Sequence, residues 1–586
     1  MSDAGPSRSA SSAAILAGVA AAFVAGVGAV AAIRPGVLAD PEPSWAAYRL
    51  LLMLAVAVTA AGAGAAGAAL MFLAGRTRAF VAPLEAWPFG ALFTFALAAL
   101  ALATGVVLRF VALDRVPEWL WIDDLSLIQP SLALQGRFAD FSNALRPAPF
   151  GVGKLYGTVG VLYLEGYRLA LLLWGTTVFG VRFPSALAGA VSLLTGGLLG
   201  RALLPRGGGA LAVLALAGLR WHLILSRWGW VMIALVPIVD VATLLLVRAR
   251  RRGSITAALA AGAVAGLGAH VYLSAWVAAV ALGAFALVPG AQKARGPSFR
   301  LALFFAAGFA VAAAPLFLLR EGRRVPYFAR TADHNLALEM ARARSPMPAV
   351  AAAADALAAP WWLPDPSPRQ DLPGATRLGF LLGVPVLVAL ARALLSPSAE
   401  LSAFLLCHAG AAFAATVAGG QAGNPNGSRF AYLTTVTAVA AAAGALALVH
   451  AVPSSRRRAA ALTAVGAFAV SGALGARDAL VNWPERVETF VGFHGQDTLL
   501  ARAALRWEAL GPAALEPGLG HSDVTIGAIR RFRLDSGEAT HARATARLRV
   551  RVAAPESRPA PGERLVERVV APGGRTIGLV YARKAA

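Results

Sequence analysis

A short apolar stretch, VPEWLWIDDLSLI at residues 116–128, contains two adjacent carboxylates, Asp123 and Asp124. The rest of the chain has little acid: 30 of its 586 residues are Asp or Glu, against 53 Lys or Arg. A carboxylate buried beside Trp119 and Trp121 becomes more basic, so it could accept a proton from a substrate hydroxyl. The alternative is a structural role, because Asp before an apolar run is also a common start signal for a helix.

Arginines form the second group of residues that could do chemistry. The segment REGRRVPYFARTADHN contains Arg320, Arg323, Arg324 and Arg330, followed by His334. Arginine forks match phosphate oxygens with two parallel hydrogen bonds. These side chains are therefore candidates for binding a phosphate, which His334 could help to leave. The alternative is a solvated basic loop that touches anionic lipid headgroups.

Two further arginines, Arg227 in LSRWGW and Arg429 in GNPNGSRFAYL, fall at the outer ends of predicted helices. Both are candidates for binding the same phosphate. Arginines are also common beside aromatic residues at a membrane interface, so a purely structural interpretation stays open for each of them.

The elements that must position these residues are transmembrane helices. Hydrophobic residues make up 58% of the chain, and apolar runs of about 17 to 25 residues recur along it. Runs rich in Ala, Leu, Val and Gly satisfy their backbone in lipid as helices, so the fold class is a polytopic α-helical membrane protein. About thirteen helices are predicted, at roughly 12–33, 47–74, 89–113, 183–200, 209–226, 230–248, 255–271, 275–290, 301–319, 377–395, 400–418, 430–450 and 459–476.

Basic clusters predict the orientation. Five Arg-rich loops (GRTR, GRALLPR, RARRRG, QKARGPSFR and SSRRR) fall on one side if the N-terminus is cytoplasmic, where such loops are retained. The segment 156–175 is long enough to span, but it carries Glu165 and Arg168 in its middle, so we expect it to lie along the outer interface. Residues 114–182 and 320–376 then form two large extracytoplasmic loops, and the acidic pair lies near the start of the first.

The chain thus divides into three predicted parts. Residues 1–88 hold two N-terminal transmembrane helices, whose first apolar run is too long for a signal-peptide core. Residues 89–476 form the main transmembrane domain. Residues 477–586 form a small extracytoplasmic α/β domain, because the alternating runs ATARLRVRV and TIGLVYARK predict strands there.

Several other functions find no support. The formal charge of +23 requires no nucleic acid, because loop arginines that set topology account for much of it. The single cysteine, Cys407, excludes an intramolecular disulfide.

His222 and His270 have no HxxxH spacing that would indicate zinc, and we expect them to form hydrogen bonds near helix ends. Asp240, inside the predicted span LVPIVDVATLL, is predicted to be buried and hydrogen-bonded.

In chain order, the outer-face features follow a pattern. The acidic pair comes after the helix at 89–113, followed by FGVRFPSALAGAVSLLTGGLLGRALL (179–204), LALAGLRWHLILSRWGW (214–230) and GLGAHVYLSAW (266–276). The sequence resembles the lipid-linked-sugar glycosyltransferases of GT-C fold, the glycosyltransferase family 39 type. This group includes the protein O-mannosyltransferases and the bacterial lipid A aminoarabinose transferases. The resemblance is most specific over residues 100–280 and looser up to 476.

The resemblance implies roles for the residues named above. Asp123 falls where the family has a catalytic Asp, and Asp124 replaces the family's Glu. The pair would act as base and support, or would hold a divalent cation such as Mg or Mn. Ser226 and Arg227 fall at the family's second outer loop. Outer-loop arginines in the family bind the donor phosphate, a role that the resemblance assigns to Arg323, Arg324 and Arg330.

The implied function is transfer of a sugar from a polyprenyl-phosphate donor to an acceptor hydroxyl on the outer face of a bacterial plasma membrane. The acceptor, whether protein, lipid or polysaccharide, is not indicated by the residues. Two rivals remain: a lipid or glycan transporter or flippase, for which Asp240 is the best support, and a non-catalytic membrane scaffold that uses residues 477–586 to bind a partner.

Overall fold

The structure is a computed structural model that describes residues 84, 87–132, 147–148, 159–288, 298–314, 336–396, 399–419, 427–508, 513–516, 523–532, 534 and 548–584. Most of this part of the chain is helical. The helices up to residue 313 are α1 Ala91–Phe110, α2 Ile122–Ser126, α3 Ile128–Leu132, α4 Val161–Trp174, α5 Val178–Leu203, α6 Gly208–Ala217, α7 Arg220–Arg227, α8 Leu235–Arg252, α9 Ile255–Gly268, α10 Ala275–Leu287 and α11 Ser298–Ala313.

Helices and a small sheet make up the remainder. The helices are α12 Leu336–Ala343, α13 Met347–Ala358, α14 Phe380–Leu395, α15 Glu400–Ala418, α16 Leu433–Ala451, α17 Arg457–Arg477, α18 Trp483–Glu485, α19 Val487–Gly492, α20 Gly495–Glu508 and α21 Asp523–Phe532. A π-helix, Asp478–Asn482, joins α17 to α18. The strands are β1 Pro147–Ala148, β2 Val159–Gly160, β3 Ala513–Leu515, β4 Leu548–Ala553, β5 Arg564–Val570 and β6 Thr576–Lys584.

The transmembrane character of the fold follows from the apolar helices. Six helical segments in the described part are long and apolar enough to cross a membrane, and the bent pair α6–α7 could make a seventh. Each of the eleven predicted spans from 89–113 onward corresponds to a helix or to this bent pair, although α9, α10, α11 and α14 are shorter than a full crossing. The predicted spans 12–33 and 47–74 lie outside the described residues, so the number of thirteen stays a prediction.

A sharp bend separates α6 from α7. The two helices meet at 59° around Gly218, where the chain packs against α17 with no room for side chains. A Cβ on Gly475 would lie 2.1 Å from the carbonyl oxygen of Gly218. Because these glycines have no side chains, α17 can pack directly against the bend. Beyond the bend, α7 brings Arg227 to Val116, in the segment that leads to the acidic pair.

Helix α4 covers most of the segment predicted to lie along the outer interface, and that location stays a prediction. Its 14 residues give a length of about 21 Å, similar to that of α9. Glu165 and Arg168 form an ion pair of 2.7 Å on its side. Tyr163 and Tyr167 are buried on its inner face. The helix thus presents aromatic residues to the protein while its charges neutralise each other.

The C-terminal part combines helices with a mixed sheet. The strand order is β3-β4-β6-β5, with β3 parallel to β4 and the other pairs antiparallel. Both predicted strand segments are confirmed, as β4 and β6. Helix α20 packs against the sheet and, with α21, connects it to the remainder of the chain. The extracytoplasmic location and the domain boundaries stay predictions.

Two polar residues inside the helical core, Asp240 and His222, are hydrogen-bonded. Asp240 of α8 is buried and accepts hydrogen bonds from the hydroxyls of Thr195 (2.7 Å) and Thr435 (3.2 Å). The prediction for Asp240 is therefore confirmed. His222 is hydrogen-bonded to Arg109 and to Ser192, each at 2.7 Å. These bonds join α1, α5 and α7, as the predicted hydrogen-bonding role for this histidine requires.

Candidate active site

The acidic pair occupies the first turn of α2, a helix of five residues that follows the buried segment of Trp119, Leu120 and Trp121. Asp124 is fully buried and Asp123 is 8% exposed. One carboxylate oxygen of Asp124 accepts a 3.4 Å hydrogen bond from the backbone N–H of Trp121. The capping role considered from the sequence is therefore real for Asp124, and it leaves Asp123 as the more accessible of the two.

The environment of Asp124 is unusual for a carboxylate. Its second oxygen, Oδ1, is buried and has no hydrogen-bond partner among the residues that the structure describes. Burial raises the pKa of Asp124 to about 7, against the opposing effects of Arg182 and the Trp121 N–H, and Asp123 adds to the rise. The hydroxyl of Tyr167 donates a 2.9 Å hydrogen bond to the backbone carbonyl of Asp124. Near neutral pH this carboxyl group can therefore change its charge.

A buried arginine, Arg182 of α5, fixes the segment that leads into α2. Its guanidinium donates to the carbonyl oxygens of Leu113 (3.1 Å), Pro117 (2.6 Å) and Trp119 (2.8 Å). The same cation lies close enough to Asp124 to oppose the rise in its pKa. Arg182 thus positions the acidic helix and supplies nearby positive charge. Its signal in the sequence is an arginine within the apolar run FGVRFP, which alone indicates no partner.

Arg227 of α7 makes similar contacts with backbone carbonyls that lie slightly earlier in the chain. It is buried, and it donates to the carbonyl oxygens of Leu108 (2.9 Å), Val111 (2.7 Å), Ala112 (3.0 Å) and Val116 (3.1 Å). These carbonyls belong to the end of α1 and the turn after it, where backbone oxygens lack helical partners. This geometry favours a structural role for Arg227 over the predicted phosphate contact.

The C-terminal part covers the acidic segment. Trp119 packs edge-on against Phe490 at 4.9 Å between ring centroids, and Trp121 packs against His494 at 4.5 Å. Thr498 accepts a hydrogen bond from the backbone N–H of Leu120. Helix α21 also packs against α2. The residues predicted to form a separate tail domain therefore contribute directly to the surroundings of the acidic pair.

Two arginines, one on α20 and one in the loop between α13 and α14, add further links to the acidic segment. Arg502 donates to the carboxylate of Glu118 at 2.8 Å and to its backbone carbonyl at 3.1 Å. Arg369, from the loop between α13 and α14, lies over the ring of Trp121. Neither arginine was singled out from the sequence, because nothing in their local sequence indicates a partner so distant along the chain.

The remaining predicted phosphate ligands are only partly described. Arg323, Arg324, Arg330 and His334, together with Arg320, lie outside the described residues. Arg429 lies in a 3-10 turn, Gly427–Phe430, and is partly buried. Gly427 at the start of this turn donates its N–H to Asp365 at 2.7 Å.

A divalent cation at Asp123 and Asp124 was also predicted. Within the described ranges, no group of three or more His, Cys, Asp or Glu side chains is arranged to hold a metal ion. Arg182 supplies positive charge near Asp124. The divalent cation at the acidic pair stays a prediction.

Comparison with solved structures identifies the fold. ArnT from Cupriavidus metallidurans bound to undecaprenyl phosphate matches with a TM-score of 0.50 and 16% identity, over 83% of this chain and 98% of that chain. The fold is that of the GT-C glycosyltransferases. The apo state of the same ArnT has a TM-score of 0.48 at 16% identity, over 84% of this chain and 98% of that one. AglB from Archaeoglobus fulgidus has a TM-score of 0.40 at 15% identity, over 71% of this chain and 58% of that one.

Comparison by sequence agrees with this GT-C assignment. The family model described as dolichyl-phosphate-mannose-protein mannosyltransferase matches residues 166–317, which include Arg182 and Arg227 but not the acidic pair. No curated protein matches the chain by sequence alone. The resemblance inferred from the motifs is thus confirmed for the GT-C core, while the roles of individual residues remain predictions.

Proposed function

We propose that the protein is a membrane glycosyltransferase that transfers a sugar from a polyprenyl-phosphate donor to an acceptor hydroxyl, with inversion, on the extracytoplasmic face of a bacterial plasma membrane. The observation that carries this proposal is the acidic pair, held on a short helix in a GT-C fold. Two lipid carriers support the donor class: the family model is named for dolichyl-phosphate-mannose, and the similar ArnT structure contains undecaprenyl phosphate.

Asp123 is the proposed base. Its carboxylate would accept the proton of the acceptor hydroxyl while the hydroxyl oxygen attacks the anomeric carbon. The bond from that carbon to the phosphate oxygen breaks, and the polyprenyl phosphate leaves on the opposite face of the sugar, which inverts the anomeric centre. Asp124 supports the base from the same helical turn, where its backbone is fixed by Tyr167.

The departing phosphate requires positive charge. We assign this role to Arg323, Arg324, Arg330, His334 and Arg429, because guanidinium groups stabilise the charge that develops on phosphate oxygens. Arg227 is left out of this set, since its guanidinium donates to backbone carbonyls. The lipid chain keeps the donor in the membrane, so the base must lie near the interface that the helix ends define.

The test is sugar transfer from synthetic polyprenyl-phosphate hexoses by the purified protein in detergent, with release of polyprenyl phosphate as the readout. Asp123→Asn should lower kcat by about 100-fold or more, the usual range for losing a general base. Asp114→Asn is the matched control, because Asp114 lies in the same loop, its side chain is 43% exposed, and it forms an ion pair with its neighbour Arg115. It should keep full activity.

Three outcomes decide between the alternatives. Transfer that depends on Asp123 supports the donor class and the base. Full activity of Asp123→Asn removes this residue from the mechanism. If the protein still binds the lipid but turns over no donor, the proposed transferase activity is contradicted and a flippase or a scaffold is favoured. The anomeric configuration of the product tests inversion, and added EDTA tests the predicted divalent cation.

A further inference from the structure

The loop between α13 and α14 is anchored rigidly at two points. The carboxylate of Asp365 accepts from Arg377 at 2.8 Å and from the N–H of Gly427 at 2.7 Å. Asp371, which is fully buried, accepts from Arg220 of α7 at 2.7 Å. These bonds hold the loop against both α7 and the turn that precedes α16. The backbone that carries Arg369 therefore has a fixed position.

Arg369 extends from this loop to two other parts of the chain. Its guanidinium lies over the ring of Trp121, 3.9 Å from the ring centroid, and donates a 2.7 Å hydrogen bond to the carbonyl oxygen of Gly492 at the end of α19. Trp121 is the residue immediately before α2, and its backbone N–H donates a hydrogen bond to the carboxylate of Asp124. One cation thus connects the anchored loop, the acidic helix and the C-terminal part.

The strength of these contacts favours a role in orientation. A partly buried cation over a Trp face is a favourable electrostatic contact, and the charge of the donor strengthens the hydrogen bond to Gly492. The ring of His494 also packs against Trp121, with 4.5 Å between the ring centroids. Without Arg369, Trp121 would lose its contact with this cation.

We propose that Arg369 is a positioning residue, which fixes α2 and its acidic pair against the C-terminal part by holding Trp121 and Gly492 together. The consequence for catalysis rests on the proposed function. Because Arg369 holds Trp121 and its charge also lies near Asp124, its loss should disturb the position of the acidic pair without removing a contact to the donor. A displacement of about 1 Å at a reacting group can lower the rate by up to about 100-fold.

Three substitutions separate the charge of Arg369 from its shape. Arg369→Lys keeps a cation that can cover Trp121 and donate to Gly492. Arg369→Gln keeps a donor without charge, and Arg369→Met keeps only apolar cover. Arg506→Gln is the matched control, because Arg506 lies on α20, is half exposed and forms an ion pair with Glu567 away from α2.

The first measurement is kinetic. Arg369→Met and Arg369→Gln should lower kcat by about tenfold or more per folded molecule while the KM for the donor changes less than about twofold. Arg369→Lys should stay within about threefold of the unsubstituted protein, and Arg506→Gln should match it. An unchanged kcat in Arg369→Met, a loss that disappears when activity is divided by folded protein, or a rise in KM alone would each overturn the proposal.

The second measurement does not depend on activity. Ser126 at the end of α2 is partly buried and donates to the carbonyl of Asp123, and Cys407 is the chain's single thiol. In a Cys407→Ser background, maleimide labelling of Ser126→Cys should become about fivefold faster in the presence of Arg369→Met, but not of Arg369→Lys. Unchanged labelling refutes the positioning role. Faster labelling in a protein that transfers no sugar supports the positioning role and refutes only the proposed function.

Discussion

The hydroxyl of Tyr167 donates a 2.9 Å hydrogen bond to the backbone carbonyl of Asp124. This bond fixes helix α4 to the acidic helix, but it leaves the side chain of Asp124 unchanged. One oxygen of that carboxylate is buried and has no hydrogen-bond partner in the described part of the chain. The site therefore holds the backbone of its acid firmly while it places the charge in an unfavourable environment, and this combination has a measurable consequence for stability.

Folding should become less favourable as pH rises through the range in which Asp124 titrates. Its pKa is about 7 in the folded protein and 3.8 when unperturbed, so the folded state retains a proton that the unfolded state has lost. Stability from this group is fully present below about pH 4 and is lost progressively up to about pH 7. The total is on the order of 4 kcal/mol.

The measurement is thermal unfolding of Asp124→Asn and of the unsubstituted protein in detergent, from pH 5 to pH 8. The uncharged amide removes the cost of ionisation, so Asp124→Asn should be the more stable of the two at pH 8. The difference should shrink toward pH 5. A constant difference across this range would show that Asp124 is already ionised at pH 5. Asp114→Asn serves again as the exposed control and should show no such trend.

Arg227 should matter for folding rather than for donor binding. Its guanidinium satisfies carbonyl oxygens at the end of α1, and a buried acceptor left without a donor costs about 1 to 3 kcal/mol. Arg227→Gln should therefore destabilise the protein by at least about 3 kcal/mol, while the donor KM of the remaining folded protein changes little. A stable variant with a tenfold higher KM would instead restore the phosphate role predicted from the sequence.

The sequence was sufficient for features that depend on local pattern. Apolar runs predicted the helices, alternating residues predicted β4 and β6, and a helix start at the acidic pair was the alternative interpretation of that stretch. The partners of these features were not accessible in this way. Trp121 meets Arg369 and His494 only because loops far apart in the chain are brought together by the helical core. No periodicity or spacing encodes that meeting.

Arg227 illustrates a different limit. Its type and its place at a helix end suit both a phosphate and a set of carbonyl oxygens, and the sequence cannot distinguish these acceptors. The bend at Gly218 directs α7 so that Arg227 reaches the end of α1, which favours the structural role. The sequence did not indicate this bend, because residues 209–226 were predicted as one straight span.

The bend itself can be tested on α17. A Cβ on Gly475 would lie 2.1 Å from the backbone oxygen of Gly218, so Gly475→Ala should cost about 1 to 3 kcal/mol and lower activity by displacing α7. Gly466 on the same helix has no atom within 4 Å of the position that a Cβ would occupy, and Gly466→Ala should be neutral or slightly stabilising. Equal unfolding temperatures for the two variants would show that the close contact with Gly218 is unimportant.

Asp240 separates the proposed enzyme from a transporter. In the structure its carboxylate accepts from Thr195 and Thr435 inside the helical core, away from the acidic helix. Asp240→Asn retains an oxygen for both hydroxyls, so sugar transfer should remain within about twofold, and stability should change by about 0.6 kcal/mol, as is typical of hydrogen bonds between membrane helices. A transporter that depended on the charge of Asp240 would instead lose its activity in this variant. Measuring sugar transfer and lipid translocation on the same Asp240→Asn preparation in vesicles therefore compares the two functions directly: loss of translocation with intact folding would favour the flippase, and retained transfer would favour the enzyme.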